Sequence, residues 1–322
     1  MLHHLPSRRA IFTLLSSFYF CTLPVLSYPQ NVEIIRMTLP KFSNTSLHEG
    51  LLPSEDAKYK AGYINTKGQV VVPYIYDGTD PFRDGLGIVY KNNFYGAIDK
   101  SGKITLPLQF YRLSSFYQGI SIASINKKFG IVNKKGEIIV PFVYDFIQHA
   151  YLDDDNDLPV DQSVFQVTKT HTVGKRSTKL FGLIDAEGNV LLPPSVDELG
   201  FFSEDMAWFK KNNKYGYINK KGQVVIEPTY DIAKQFHEGL AAVSKNNKWG
   251  FIDKSGRVVI DFQYTEIAPD DGAKEAGFEN GFAIVSTHKP EMGRRRFGYV
   301  DKTGKAITPF IFETAHPFSK EG

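Results

Sequence analysis

Two stretches that lie 34 residues apart decide the fold of this chain: Lys214-Tyr-Gly-Tyr-Ile-Asn-Lys-Lys-Gly-Gln-Val-Val-Ile226 and Lys248-Trp-Gly-Phe-Ile-Asp-Lys-Ser-Gly-Arg-Val-Val-Ile260. In both, an aromatic residue is followed by Gly, and a second Gly lies six residues after the first. This pair of glycines occurs seven times along the chain, with the first Gly at positions 62, 96, 130, 182, 216, 250 and 298. Self-similarity at a fixed period of this length indicates an array of small structural repeats.

Each repeat is expected to form three short strands, which we call c, a and b in chain order. In the clearest copy they are Leu240–Ser244, Lys248–Lys254 and Arg257–Asp261. An Asn-Asn pair separates c from a, and Asn tolerates the positive φ of a two-residue hairpin. An Asx-Lys-x-Gly turn separates a from b, where the Asx side chain accepts backbone N–H bonds and Gly takes the left-handed conformation. The repeat therefore predicts an all-β antiparallel meander.

Two aromatic columns and two columns of small residues predict how the repeats pack. A three-stranded sheet buries too little surface alone, so neighbouring copies must share a core. We expect an open, twisted stack of about seven units, with a closed propeller-like ring as the alternative. The aromatic columns are expected to fill the shared core, and they are Tyr76, Phe110, Tyr144, Tyr230, Tyr264 and Phe312, and Phe82, Phe116, Phe202, Phe236, Phe278 and Phe318.

One copy of the repeat carries a resemblance to a known family. The stretch Trp249–Gly256 reads Trp-Gly-Phe-Ile-Asp-Lys-Ser-Gly. Together with Tyr264, Phe278 and Gly281 it resembles the WG (KWG) β-repeat family of bacteria. The resemblance covers about residues 60–322, although most copies have Tyr-Gly or Phe-Gly where the family has Trp-Gly. It implies an all-β repeat fold and supplies no catalytic or binding residues.

The N-terminal segment predicts export. Residues 1–27 contain no acidic residue, carry Arg8 and Arg9, and continue into an apolar stretch that ends in Val-Leu-Ser. This is the pattern of a secretory signal peptide, by a general or a twin-arginine route. The alternative, a membrane anchor, needs about 20 apolar residues. We therefore expect a periplasmic or extracellular protein with no membrane span after cleavage, a lead-in or cap over 28–58, and the repeat array over 59–322, its last repeat incomplete.

Composition narrows the function classes. A chain that is 23% charged and 42% hydrophobic fits neither a disordered chain nor a multispan membrane protein. Loss of Arg8 and Arg9 with the signal would leave 36 basic against 35 acidic residues, because the full chain has 38 and 35. A net charge this close to zero gives no reason to expect nucleic acid as a partner. The sequence does not specify an oligomeric state.

Two insertions interrupt the period, within 148–179 and 267–296. Their parts before strand c are acidic, and their parts in the c–a hairpin are basic. Asp153, Asp155 and Asp157 are a weak metal candidate, since Leu and Pro follow where a calcium loop needs Gly. A solvated acidic loop is the favoured interpretation. The basic residues could form a strip for an anionic polymer, or could simply solvate hairpin tips; they are Lys175, Arg176, Lys179, Arg294, Arg295 and Arg296.

No motif for catalysis is visible in the sequence. There is no Gly-x-Ser-x-Gly elbow, and Cys21 is the only cysteine. No cofactor is implied. We therefore expect a non-catalytic, exported protein-interaction or scaffold module of the cell envelope. The alternative is binding of an anionic or glycan cell-surface polymer through exposed aromatic residues such as Trp208. An enzyme whose site the sequence does not reveal is the third possibility.

Overall fold

The computed structural model describes residues 48–151, 163–268, 276–287 and 296–317. Over these residues the chain contains 27 β-strands and no helix. Within the described ranges, therefore, no helix of the length and hydrophobicity needed to cross a membrane is found. The predicted signal peptide, residues 28–47 of the predicted lead-in, and Phe318 lie outside the described residues.

The strands form seven antiparallel sheets that follow one another along the chain. Sheet 1 contains β1 (Leu51–Glu55), β2 (Ala61–Asn65) and β3 (Val70–Tyr76). Sheet 2 contains β4 (Gly78–Thr79), β5 (Gly87–Lys91), β6 (Phe94–Ile98) and β7 (Ile104–Phe110). Sheet 3 contains β8 (Arg112–Leu113), β9 (Ile120–Ile125), β10 (Lys128–Asn133) and β11 (Ile138–Tyr144). Sheet 4 contains β12 (Phe146–His149), β13 (Val164–Val173), β14 (Arg176–Asp185) and β15 (Val190–Val196).

Sheets 5 and 6 repeat the same plan, whereas sheet 7 has an extra short strand and no strand b among the described residues. Sheet 5 contains β16 (Glu198–Leu199), β17 (Met206–Lys211), β18 (Lys214–Asn219) and β19 (Val224–Tyr230). Sheet 6 contains β20 (Ile232–His237), β21 (Leu240–Lys245), β22 (Lys248–Asp253) and β23 (Val258–Tyr264). Sheet 7 contains β24 (Glu266–Ala268), β25 (Phe278–Glu279), β26 (Phe282–Ser286) and β27 (Phe297–Asp301).

Strands c, a and b are confirmed in sheets 1–6, and sheets 2–7 add an edge strand that the sequence analysis missed. Sheet 6, for example, has the order β20, β21, β22, β23, so a strand that we call d lies at the edge beside strand c. Three of the d strands, β4, β8 and β16, are only two residues long. Strands this short carry no period-two alternation to recognise. Sheet 1 also extends the array N-terminally, because β1 lies inside the predicted lead-in.

The predicted turn chemistry is present. Asn212 and Asn213 have φ of 52° and 61°, as a tight c–a hairpin requires. In the a–b turn of the same sheet, the Asn219 side-chain oxygen accepts N–H bonds from Lys221 at 3.0 Å and Gln223 at 3.1 Å. Gly222 follows with φ of 73°. The repeat signature is thus largely a turn signature.

In sheets 1–6 the first glycine of the repeat is required by a bulge in strand b. Tyr215 pairs with Tyr230 and Tyr217 pairs with Ile226, so four steps along β19 match two steps along β18. The extra residues bring the β19 backbone over Gly216, where a Cβ would lie 2.4 Å from the Ile226 carbonyl oxygen. No side chain fits in that space, which explains why this position is glycine.

The core is divided into six clusters, each shared between two consecutive sheets. Between sheets 5 and 6, Tyr217 and Tyr230 from one sheet pack with Phe236 and Val243 from the next. The two aromatic columns are buried where they are described, as predicted, except for Phe312, which is 37% exposed. The clusters confirm that the units share their cores rather than standing alone.

The stack is open, as predicted, and no described sheet closes into a barrel or ring. The a–b turn glycine of each later sheet packs on strand b of the sheet before it. The Cβ position of Gly256, for instance, lies 3.3 Å from the Ile226 side chain. At Gly68, the equivalent in sheet 1, no described atom lies within 4 Å of that position. Gly68 therefore lacks, among the described residues, the inter-sheet contact that the turn glycines of the later sheets make.

Candidate functional site

An aspartate that directly follows strand b links consecutive sheets. Asp231 accepts a hydrogen bond from Lys214 of sheet 5 and, at 2.7 Å, the backbone N–H of Asn246 in the c–a hairpin of sheet 6. The hydrogen bond from Lys214 is the main reason that the pKa of Asp231 is lowered. Asp77 is held in the same way by Lys60 at 2.6 Å and the N–H of Asn92 at 2.8 Å. We call these contacts the junction ladder, and its acids are Asp77, Asp145, Asp197 and Asp231.

A second ladder runs through the turns before strand c. The carboxylate of Glu238 in sheet 6 accepts a hydrogen bond from the N–H of Gly281 at 3.0 Å and forms an ion pair with Lys302 at 3.0 Å. Both partners belong to sheet 7. Burial alone would raise the pKa of Glu238, but these two partners lower it. We call this the turn ladder, and its acids are Glu49, Asp84, Glu204 and Glu238. The Lys of the Asx-Lys-x-Gly turn is thus an inter-sheet contact.

The turn ladder is interrupted in the middle of the array. Sheet 3 has the uncharged Gln118 where sheets 1, 2, 5 and 6 have an acid, and sheet 4 has Ala186 where sheets 2, 3, 5, 6 and 7 have Lys. Gln118 cannot form an ion pair, and Ala186 has no charge to offer. Sheets 3 and 4 are therefore joined by their shared core and by the junction contact of Asp145 with Thr170.

A cleft of about 820 Å³ lies over sheets 2, 3 and 4 in this region. Its floor and rim come from the d segments of sheets 3 and 4, and its walls come from strands c and a of sheets 2 and 3. This volume is within the range of ligand-binding clefts, roughly 300–1,000 Å³. The lining side chains used below are Asp80, Tyr90, Asn93, Tyr95, Tyr111, Arg112, Phe129, Phe146 and Gln148.

Aromatic rings dominate the walls of the cleft. Tyr90 and Tyr95 lie with ring centroids 4.7 Å apart, and Phe129 and Phe146 with centroids 5.2 Å apart. Tyr111 is 52% exposed and Phe146 is 37% exposed. Exposed rings on consecutive sheets offer apolar surface to a ligand at two neighbouring positions.

The polar groups of the cleft carry one charge of each sign. Asp80 lies in the concave wall, where desolvation raises the pKa of its carboxyl group. Arg112 is exposed on the rim, at the start of β8. No ion pair joins these two residues among the described side chains. Asn93 accepts a hydrogen bond from the Tyr90 hydroxyl at 3.1 Å, which holds the amide at the cleft mouth.

One position of strand c holds side chains of different size in sheet 3, beside the cleft, and in sheet 5. The N–H of Ser114 bonds the Ile122 carbonyl at 2.9 Å, and the N–H of Gly200 bonds the Trp208 carbonyl at the same distance, so the two pairs are equivalent. Ile122 and Ser114 line the cleft. In sheet 5 the indole of Trp208 lies directly on Gly200, where a Cβ would be 2.4 Å from its ring. The larger ring occupies space that Ile122 leaves open.

The residues predicted from sequence are placed apart from the cleft. Lys175, Arg176 and Lys179 are exposed on the long hairpin of β13 and β14, and Lys179 lies 5.0 Å above the ring of Phe181. Arg296 forms an ion pair with Glu313 at 2.8 Å. Trp208 is half-buried, packs on the core between sheets 5 and 6, and meets Tyr215 edge-on at 5.5 Å.

The remaining predicted site residues lie outside the described residues: Asp153, Asp155, Asp157, Arg294 and Arg295. Among the described side chains, no group of three or more His, Cys, Asp or Glu is arranged to hold a metal ion. The basic edge is partly neutralised, because Lys128 and Lys214 pair with junction-ladder acids and Lys210 pairs with Glu198 at 2.8 Å. Its free charge is therefore smaller than the sequence suggests.

Sequence reasoning missed both ladders and the cleft. The ladders have a sequence signal, since an Asp follows the aromatic residue at the end of strand b in sheets 1, 3 and 5, and a Lys follows the Asx of most a–b turns. The cleft has a weaker one. Its lining uses aromatic residues that also suit a core, and the exposed ones, Tyr111 and Phe146, lie at the start of the short d segments of sheets 3 and 4.

Comparisons with known proteins agree with this repeat architecture. The family profile described as "WG containing repeat" matches seven segments, which are 62–93, 95–129, 129–151, 181–215, 215–249, 249–272 and 297–322. The gaps between the matches coincide with the two insertions. No curated protein is similar enough in sequence to match the chain.

Several solved structures are similar at low identity. A eukaryotic initiation factor shares 11% identity over 80% of this chain and 73% of its own, with a TM-score of 0.35. The β-propeller domain of the Trilobed protease from Pyrococcus furiosus shares 12% over 81% and 93%, with a TM-score of 0.30. An extracellular domain of a one component system from B. thetaiotaomicron shares 11% over 82% of this chain and 41% of its own, with a TM-score of 0.27.

The assignment rests on the family profile and on the described strands. The profile covers well over half of the chain, and the first six matches each contain a glycine that the strand-b bulge requires. The chain belongs to the family of proteins built from WG-containing repeats.

Proposed function

We propose that this chain is a non-catalytic interaction module of the cell envelope, which binds a macromolecular partner in the cleft over sheets 2–4. The observation that carries the proposal is the convergence of side chains from three consecutive sheets on one cleft of about 820 Å³. The sheets beneath it share their cores, so the site rests on a rigid base.

Site-specific photo-crosslinking tests this proposal. A photoreactive residue at Tyr111 is expected to capture a discrete envelope component in cells. The same residue at Ile138, which is 59% exposed but does not line the cleft, serves as the matched control and is expected to capture none. Equal capture at both positions, or no capture at residue 111, would contradict the proposal.

Export is part of the proposal. The N-terminal segment supports it, since its acid-free start and apolar stretch have the pattern of a signal peptide. Fractionation of cells expressing the tagged chain is expected to place it in the periplasm or the medium, shortened by about 27 residues. Recovery of full-length chain in the cytosol would contradict this part.

A second candidate, binding of an anionic polymer, is supported by the β13–β14 hairpin. Both strands are ten residues long, and residues 169–179 are all exposed. Four side chains in this range are cationic and carry no described ion pair, which are Lys169, Lys175, Arg176 and Lys179, and the last three lie nearest the hairpin tip. Reversing these three charges to Glu is expected to weaken retention on a polyanion column at low salt, whereas Lys214→Glu should change it less because Asp231 already neutralises Lys214.

A further inference from the structure

We infer that the cleft over sheets 2–4 binds a short stretch of a neutral carbohydrate chain. This inference rests on the proposed function, because it names the ligand class of the same site. It is carried by three features of the cleft: its charge, its exposed rings, and polar groups that can both donate and accept hydrogen bonds.

The charge of the cleft favours a neutral ligand. Asp80 and Arg112 are its formally charged side chains, and their charges cancel when His149, which also lines the cleft, is neutral. An anionic polymer would meet the Asp80 carboxylate, and a cationic one would meet Arg112. A ligand without formal charge can contact both groups and incur no like-charge repulsion.

The exposed rings suit the apolar faces of sugar rings. Tyr111 and Phe146 lie on the d segments of consecutive sheets and keep half and over a third of their surface exposed. Neighbouring aromatic residues restrain both: Tyr111 meets Phe94 at 5.5 Å and Phe146 meets Phe129 at 5.2 Å. A restrained aromatic face supplies contact area at low entropic cost, and sugar C–H groups can pack on it.

The polar groups match hydroxyl groups. Within the described part of the chain, the Asp80 carboxylate and the Arg112 guanidinium form no hydrogen bond to another side chain. Asp80 can only accept when ionised, Arg112 can only donate, and the Asn93 amide can do both. A sugar hydroxyl is a donor and an acceptor at once, so it can satisfy either kind of group.

An extended peptide is a poorer fit. Peptides that add to a sheet need a free strand edge of several residues for main-chain bonding. The d strands beside the cleft are β4 and β8, with two residues each, and β12, with four residues. Such short edge strands offer almost no template for another strand.

Calorimetric titration with three neutral hexasaccharides tests the inference: the N-acetylglucosamine hexamer, cellohexaose and maltohexaose. At least one is expected to bind the purified chain. Tyr111→Ala and Arg112→Ala should each weaken that binding by about tenfold or more. The matched controls are Tyr59→Ala, which removes a 73% exposed ring outside the cleft, and Arg176→Ala on the hairpin; both should leave the affinity unchanged.

Binding of none of the three hexasaccharides would overturn the inference, and so would binding that Tyr111→Ala and Arg112→Ala leave intact. Photo-crosslinks from residue 111 separate this failure from that of the proposed function. Adducts made of protein alone, without hexasaccharide binding, would overturn the carbohydrate assignment and retain the interaction module. No adduct and no hexasaccharide binding would overturn both.

Discussion

Two boundaries in the array join four-stranded units and differ in whether a cleft is present. One lies between sheets 5 and 6, and the other between sheets 3 and 4. At the first, Trp208 lies on Gly200, and the turn ladder continues into sheet 6 through Glu204, Gly239 and Lys254. At the second, Ile122 replaces the indole, Ala186 replaces the lysine, and a cleft opens along the d segments. The two junctions therefore differ in a few side chains and also in strand length, since the c and a strands have six residues each in sheet 6 and ten each in sheet 4.

The largest expected effect tests what the two boundaries share. Gly216→Ala places a Cβ 2.4 Å from the Ile226 carbonyl oxygen, so the bulge must shift and the free energy of unfolding should fall by about 3 kcal/mol. Gly78→Ala is the control, because its Cβ would meet only Tyr90 at 3.8 Å. Urea unfolding of both variants measures the difference, and equal midpoints would show that the bulge does not require glycine.

The next effect addresses the difference between the boundaries directly. Trp208→Ile should leave a cavity beside Gly200 and lower the free energy of unfolding by about 2–3 kcal/mol. The reverse change, Ile122→Trp, should fill part of the cleft and abolish ligand capture there with little loss of stability. Thermal unfolding and the residue-111 crosslink assay check the pair. Stability unchanged by Trp208→Ile would contradict the packing argument.

A smaller effect is expected at a hydroxyl that joins sheets 5 and 6. The buried Tyr217 hydroxyl donates to the Lys234 carbonyl at 2.7 Å, as Tyr63 donates to Asp80 between sheets 1 and 2. Tyr217→Phe should cost about 1–2 kcal/mol, since the carbonyl loses a buried donor. Phe251 at the equivalent place in sheet 6 shows that the ring itself is accommodated. Tyr59→Phe is the exposed control, and chemical denaturation gives the comparison.

The smallest effect is the pH dependence that the two ladders confer. Lysine and backbone partners lower the pKa values of five ladder acids, which are Asp77, Asp145, Asp231, Glu49 and Glu238. As acid is added, the unfolded chain therefore binds more protons than the folded chain does. Their contribution to stability is present above about pH 5 and is lost as the pH falls through the folded-state pKa values.

Asp231→Asn should make this acid decline shallower. Asp261→Asn, at an exposed aspartate of β23, should leave it unchanged. Thermal unfolding midpoints measured from pH 7 down to pH 2 decide the matter. If Asp231→Asn does not alter the fall in unfolding midpoint at low pH, the junction ladder does not contribute to the pH dependence of stability.

Much of the fold could be predicted because short-range sequence patterns determine its turns and strands. Paired Asn residues, the Asx-Lys-x-Gly turn and the 34-residue spacing each act within a few residues, and the strands and shared cores follow from them. The d strands could not be predicted, since two residues such as Arg112 and Leu113 carry no periodicity. The open stack was favoured by the same shared-core reasoning.

The candidate site was far less accessible to sequence. Charges such as Lys214 invite a binding hypothesis, but the structure shows that Asp231, 17 residues later, already neutralises it. The aromatic rings of the cleft look like core residues in the sequence, because exposure depends on what the neighbouring unit places beside them. Trp208, which alternation suggested as an outward ring, is half-buried because Gly200 leaves room beneath it.

The turn ladder has a direction. In every described rung the earlier sheet supplies the carboxylate and the later sheet supplies the glycine N–H and the lysine. Each unit thus presents a carboxylate to the next unit and a glycine N–H and a lysine to the previous one. A tandem copy of one unit, inserted in frame, would meet a carboxylate on one side and a glycine N–H and a lysine on the other. An array of this kind can therefore lengthen or shorten by whole units with the same contacts between sheets.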